Sequence, residues 1–235
     1  MDDPALIQAK IQRLLLETPE PMGFEYIADC IHRFLRNRDE IACRDLIIIS
    51  RLFVSLLNNS IFSQKLRDFY DCTASNDLLT DITKYCFTDY PATRVGSPMS
   101  DAQNAQTLVS LPLGVQKAYA REHSRNHHEA LLHTPWPQVV EILVQNTSIQ
   151  ERDILRMSSR KPTQNDLLEP ILASNWTSRV EVRFALAANP CLNASHAMRL
   201  ALSLPASKLN ILKEMPELHI SIRSFSQKLL DYSNS

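Results

Sequence analysis

Only three glycines, Gly23, Gly96 and Gly114, occur in 235 residues. That is too few for a glycine-rich loop that cradles phosphate and for the turns that β-hairpins need, so phosphate-loop and Rossmann enzymes are excluded. Neither sign of charge dominates: 25 basic residues face 26 acidic ones, which gives no reason for a general affinity for nucleic acid or anionic membranes. No long apolar run is present either. The most hydrophobic stretch, Leu46 to Leu57, is broken by Arg51 and two serines and falls short of the ~20 apolar residues that span a bilayer. It reads as a central buried helix. The five cysteines, Cys30, Cys43, Cys72, Cys86 and Cys191, are odd in number and lack the close pairing of zinc or redox motifs, so they read as reduced thiols. The acidic start Met-Asp-Asp-Pro and an amphipathic first helix do not resemble a signal peptide, and the expected location is cytoplasmic.

What is present is a helix-breaking proline at nearly constant spacing. Pro135, Pro162, Pro190 and Pro216 are separated by 27, 28 and 26 residues. Five residues before them stand Ala130, Met157, Ala185 and Ile211, and four before them Leu131, Ser158, Leu186 and Leu212, so seven of these eight positions are apolar. An apolar cluster with helical spacing follows each proline, for example Val139, Val140, Ile142 and Leu143. Every unit therefore reads as proline, helix, short connection, second helix. A period of this length belongs to stacked helical hairpins, none of which buries its apolar face alone. Ser148 with Glu151 and Ser178 with Glu181 are spaced as capping boxes that start second helices, and Pro205 marks the corresponding start in the next unit.

The expected fold is all-α. Residues 1–90 form an N-terminal helical module, 91–104 a linker rich in proline and small polar residues, and 105–235 a short α-solenoid of hairpin repeats with a period of about 27 residues. The phrase Val182-Arg-Phe-Ala-Leu-Ala-Ala-Asn-Pro190, continuing to Ala197-Met-Arg-Leu200, resembles the HEAT-like and leucine-rich-repeat-variant class. The wider run from Leu111-Pro-Leu-Gly-Val-Gln-Lys117 through Trp176 to Asn189-Pro190 also resembles an uncharacterised family of bacterial helical-repeat proteins. The resemblance spans roughly residues 108–230 and implies an α-solenoid without implying an activity. Leucine-rich-repeat-variant proteins can carry an iron–sulfur centre on an N-terminal cysteine cluster. This chain lacks that cluster, so no cofactor is expected.

Candidate sites follow from residue type. His123, His127, His128, Glu129 and His133 are of a kind that binds zinc or iron, and pairs four apart on one helix can chelate. The repeat alignment argues against a shared face, because it starts the second helix near Ser124, leaving His123 before it and His133 in the closing turn. No nucleophile elbow or cysteine-protease signature is present. Trp136 and Trp176 are the only tryptophans. Trp176 falls between two helices, where a ring either covers a hairpin end or anchors a partner. Arg160, Arg179 and Arg183 suggest a basic edge, or else ordinary surface pairs with Glu169 and Glu181.

The leading functional expectation is a non-catalytic interaction module or scaffold whose partner is another protein, a peptide, or a second copy of the chain. The expected contact residues are Trp136, Trp176, Arg160, Arg179 and Arg183. One alternative is nucleic-acid binding of the DNA-repair type, through a face concentrating Arg152, Arg156, Arg160, Arg179 and Arg183. A second alternative is a metal-dependent enzyme using the His123 to His133 cluster.

Overall fold

The computed structural model describes residues 4–18, 22–56, 64–65, 77–88, 90–96 and 110–234. Among these the chain is entirely helical, with thirteen α-helices and no strand, and no helix is long and apolar enough to cross a membrane. Two compact units are present. One gathers Met1–Tyr90 with Met198–Met215 and Ile220–Ser235; the other comprises Pro91–Ala197 and Pro216–His219. Residues 198–215 and 220–235, placed in the repeat array by spacing alone, thus cluster with the N-terminal helices.

The first unit begins with α1 (Pro4–Glu17), α2 (Met22–Asn37) and α3 (Glu40–Leu56), followed by α4 (Asp77–Ile82), which runs into a π-helical turn at Thr83–Phe87. It is completed later in the chain by α12 (Ala206–Glu214) and α13 (Ile220–Asn234). α2 packs on α3, α4 and α13, while α12 packs on α13. Ile27, Ile31, Leu46, Ile49, Ile82 and Phe225 are fully or almost fully buried and form its core. In α1 Ile7, Ile11 and Leu15 are buried, whereas Leu6 is 51% exposed.

Glycine scarcity has a local consequence between α2 and α3. The chain turns at Arg38 with φ of 53°, the left-handed conformation that helix C-termini ordinarily give to glycine. The Arg38 N–H donates to Phe34 O at 3.1 Å and the Asp39 N–H to Arg33 O at 3.4 Å, closing α2. Asp39 then opens α3 by accepting from the N–H groups of Ile41 at 2.8 Å and Ala42 at 3.2 Å.

The second unit contains α5 (Leu113–Arg121), α6 (Arg125–Leu131), α7 (Pro137–Gln145), α8 (Glu151–Ser158), α9 (Asn165–Ala173) and α10 (Val180–Ala187). α11 (Ala194–Ala201) continues from one unit into the other. These helices have seven to nine residues and are marginal in isolation, so packing has to stabilise them. α5 packs on α7 and α7 on α9, while α8 packs on α10. Leu131, Val139, Leu143, Ile154, Ile171 and Leu186 are buried between them.

Pro135, Pro162, Pro190 and Pro216 all lie between helices, whereas Pro170 sits inside α9. α6 starts after Ser124, which leaves His123 before it and His133 in the turn after it, as the alignment required. The two capping boxes are not formed. Ser148 is taken up by a turn in which Asn146 Oδ1 accepts from its N–H at 2.9 Å and from its hydroxyl at 2.8 Å, so the cap of α8 moves to Gln150. Ser178 belongs to a 3₁₀ turn at Asn175–Ser178 and donates to Asn175 O at 2.7 Å, so α10 is preceded by Arg179. Pro205 precedes α12 by one residue. Of the expected linker, Pro91–Gly96 belongs to the second unit, and residues 97–104 lie outside the described set.

Arg38→Gly should stabilise the chain by about 1 kcal/mol, because glycine adopts the left-handed conformation without the Cβ clash. Chemical denaturation followed by far-UV dichroism would read it, and a destabilised variant would contradict the backbone geometry at this turn.

Candidate functional site

Helix C-termini leave carbonyl oxygens without an intrahelical donor. In the second unit these oxygens are bonded by side chains from the equivalent helix one hairpin further along. Asn146, which follows α7, donates from Nδ2 to Ala120 O at 2.9 Å and Glu122 O at 2.8 Å, at the end of α5. Trp176, which follows α9, donates from its indole N–H to Val144 O, at the end of α7, at 2.9 Å. On the other helix layer Arg160, which follows α8, donates to Leu132 O at 3.3 Å and Thr134 O at 3.5 Å, after α6. Asn189, which follows α10, donates to Ser158 O at 2.8 Å and Arg160 O at 2.9 Å. Asn189 also accepts from the Cys191 N–H at 3.0 Å, which locks its amide in place.

Ion pairs repeat the theme. Arg125 on α6 forms a bidentate pair with Asp153 on α8, with one contact of 2.7 Å from Nη2 to Oδ1. Arg156 pairs with Glu129 at 3.0 Å, and Arg179 with Glu151 at 4.0 Å. Asp153 is fully buried and also accepts from the Gln150 N–H at 3.1 Å. Burial by itself would raise its carboxyl pKa. The hydrogen bonds from Arg125 and Gln150 and the charges of Arg125 and Arg152 outweigh that effect and hold it below its ordinary value of 3.8.

This geometry assigns places to the residues singled out by sequence. Trp136 is 41% exposed before the first residue of α7. Trp176 is half-buried and caps a helix end. Arg160 bonds carbonyls, and Arg179 meets Glu151 rather than Glu181. Arg183 is not on the surface: it is 1% exposed, and its guanidinium donates to Thr177 O at 2.7 Å and Ser178 O at 2.9 Å. Arg152 lies 4.0 Å from Asp153. The five arginines of the nucleic-acid alternative therefore each have a carboxylate or carbonyl partner and do not form a continuous bare ridge.

The histidines also separate. His127 Nδ1 meets Glu122 Oε2 at 2.7 Å while its ring lies on Tyr119 with centroids 4.3 Å apart. His128 is fully buried and donates from Nε2 to Glu122 O at 2.7 Å. His123 Nδ1 lies 3.3 Å from Ser148 Oγ. Glu129 is engaged by Arg156, and His133 is half-buried. Among the described residues no three His, Cys, Asp or Glu side chains converge as a metal site would require.

Two recesses lie among the described residues. In the second unit one of about 380 Å³ is lined by Arg121, His123, Ile142, Gln145, Asn146 and Thr147, beside the Asn146 cap. In the first unit one of about 300 Å³ is lined by Thr80, Asp81, Lys228, Asp231 and Tyr232. There the almost buried Asp81 accepts from Lys228 Nζ at 2.7 and 2.6 Å and from the Tyr232 hydroxyl at 3.0 Å. Sequence reasoning missed this cluster because its members lie 147 and 151 residues apart, with no motif to join them. Cys30 is buried and its thiol is pushed up to about 11, first by burial, so it is protonated at neutral pH.

Fold and site together define an all-α protein whose second unit joins short helices by polar side chains across their ends. No protein-family model, curated protein or solved structure matches the chain.

Asn189→Ala should cost about 2–3 kcal/mol, since it strips donors from two carbonyls and the acceptor from the Cys191 N–H. The exposed Asn210→Ala should change stability by less than about 0.5 kcal/mol in the same denaturant titration. Asp153 stabilises the fold fully above its ordinary pKa of 3.8 and loses that contribution as pH falls through the lower folded value. Stability should therefore drop below about pH 4 in the native chain and fall less steeply in Asp153→Asn; parallel pH profiles would remove Asp153 as a source of the acid sensitivity.

Proposed function

We propose that the chain is a non-catalytic protein-interaction module, built on a short α-solenoid of hairpin repeats in its second unit. The observation that carries this reading is the ladder of helix-end hydrogen bonds. Its donors and acceptors lie 24 to 32 residues apart, a spacing that brackets the 27, 28 and 26 residues between the prolines. Like helices packing on like helices agree with it. In such an array each hairpin presents equivalent positions to solvent in a row, which suits an extended partner surface rather than a single reaction centre. The pairing of Arg125, Arg156 and Arg179 with carboxylates favours a protein or peptide partner over a polyphosphate backbone. The proposed setting is the cytoplasm, and a second copy of the chain remains within the class of partner.

A photo-cross-linking residue at Trp136 or Gln145, both exposed, and at Asn210 as control, tests the reading in the native cell. The expected result is a discrete, nuclease-resistant protein adduct from the first two positions and none from the control. Adducts to nucleic acid alone, or no adduct at either position, would overturn it.

A further inference from the structure

The recess beside Asn146 has a wall held by hydrogen bonds. Asn146 donates to Ala120 O and Glu122 O, and its Oδ1 accepts from the Ser148 N–H and hydroxyl. Because that hydroxyl gives its proton to Asn146, it faces His123 Nδ1, 3.3 Å away, as an acceptor. The half-buried Ile142 adds an apolar patch to the lining, and Arg121 and Gln145 are its exposed polar members.

The charge of this lining is one-sided. Arg121, the last residue of α5, is a fixed cation, and no carboxylate lines the recess. Its acidic neighbours are placed elsewhere: Glu122 meets His127 Nδ1 at 2.7 Å, and Glu141, one turn before Gln145, stands outside the lining. Arg125, Arg156 and Arg179 in the same unit each meet a carboxylate one hairpin away, whereas among the described residues Arg121 meets none. Its Nη1 donates to Lys117 O of its own helix at 3.2 Å, which leaves other guanidinium N–H groups for an outside acceptor.

We propose that the recess receives an acidic side chain of a partner protein, with its carboxylate on Arg121 and its methylene stem on Ile142. The proposal rests on the interaction-module reading and names the chemistry of the partner. One guanidinium beside an apolar wall matches a singly charged group on an aliphatic stem better than it matches a phosphate, which carries nearly two charges. A single exposed ion pair is weak, so the isolated contact has a Kd on the order of millimolar.

The test follows the Arg121 Nε–H and the Gln145 side-chain amide of the isotope-labelled full chain by NMR. The probe is the peptide acetyl-Ala-Glu-Ala-amide, compared with its glutamine counterpart, with glutarate and with inorganic phosphate. The expected result is saturable shifts at both groups with the glutamate peptide and binding of the glutamine peptide weaker by about fivefold. Arg121→Gln should lose as much and Arg121→Lys should restore part of it, with far-UV dichroism showing retained helix. The peptide comparison needs no variant. Absent saturation, equal binding of the two peptides, or native-like binding by Arg121→Gln would overturn the proposal. Glutarate or phosphate binding at least tenfold tighter than the peptide would overturn it by assigning the recess to a small anion. The titration uses no cellular partner, so its failure leaves the cross-link expected from Trp136 intact, and the two readings fail separately.

Discussion

The second unit depends on how short helices satisfy their last carbonyls. A helix of seven to nine residues has more unpaired terminal groups than internal bonds, and water satisfies those groups only while the end is exposed. Here Asn146, Arg160, Trp176 and Asn189 bring donors from the following hairpin to the ends of α5, α6, α7 and α8. Each hairpin therefore completes the one before it. Apolar burial of residues such as Leu143 and Leu186 supplies non-directional attraction, whereas the ladder sets the offset between neighbours.

The same constraint redirects residues that would otherwise suggest ligand binding. Guanidinium groups are always charged and offer several donors, so they suit phosphate, carboxylate and helix-end carbonyls alike. In this chain Arg160 and Arg183 serve carbonyls, while Arg125, Arg156 and Arg179 serve carboxylates one hairpin away. His128 is likewise spent on Glu122 O. Trp136 stays exposed, and a recess lies beside Asn146.

In the first unit buried polar groups join distant parts of the chain. Arg199 is 2% exposed and donates from Nε to Cys86 O at 2.6 Å, while its own carbonyl accepts from the Ser50 hydroxyl at 2.8 Å. Asp81 meets Lys228 and Tyr232. Such bonds are costly to leave unmade in a buried setting, so they commit the C-terminal helices to this unit.

The sequence by itself determined the secondary structure class and several junctions between helices, because these follow from local chemistry. Few glycines, apolar residues at helical spacing and prolines between helices act within one or two turns of chain. They located Ser124 before α6 and the junctions at Pro135, Pro162 and Pro190. Tertiary structure decided what spacing does not encode. The cap of α8 moved to Gln150 and α10 starts after Arg179, because Ser148 and Ser178 were drawn into other turns. Helices 206–214 and 220–234 joined the N-terminal core, since periodicity marks an apolar face without naming the face it meets. Gly96 counted for its closeness to Thr163, a contact across 67 residues that only folding brings about.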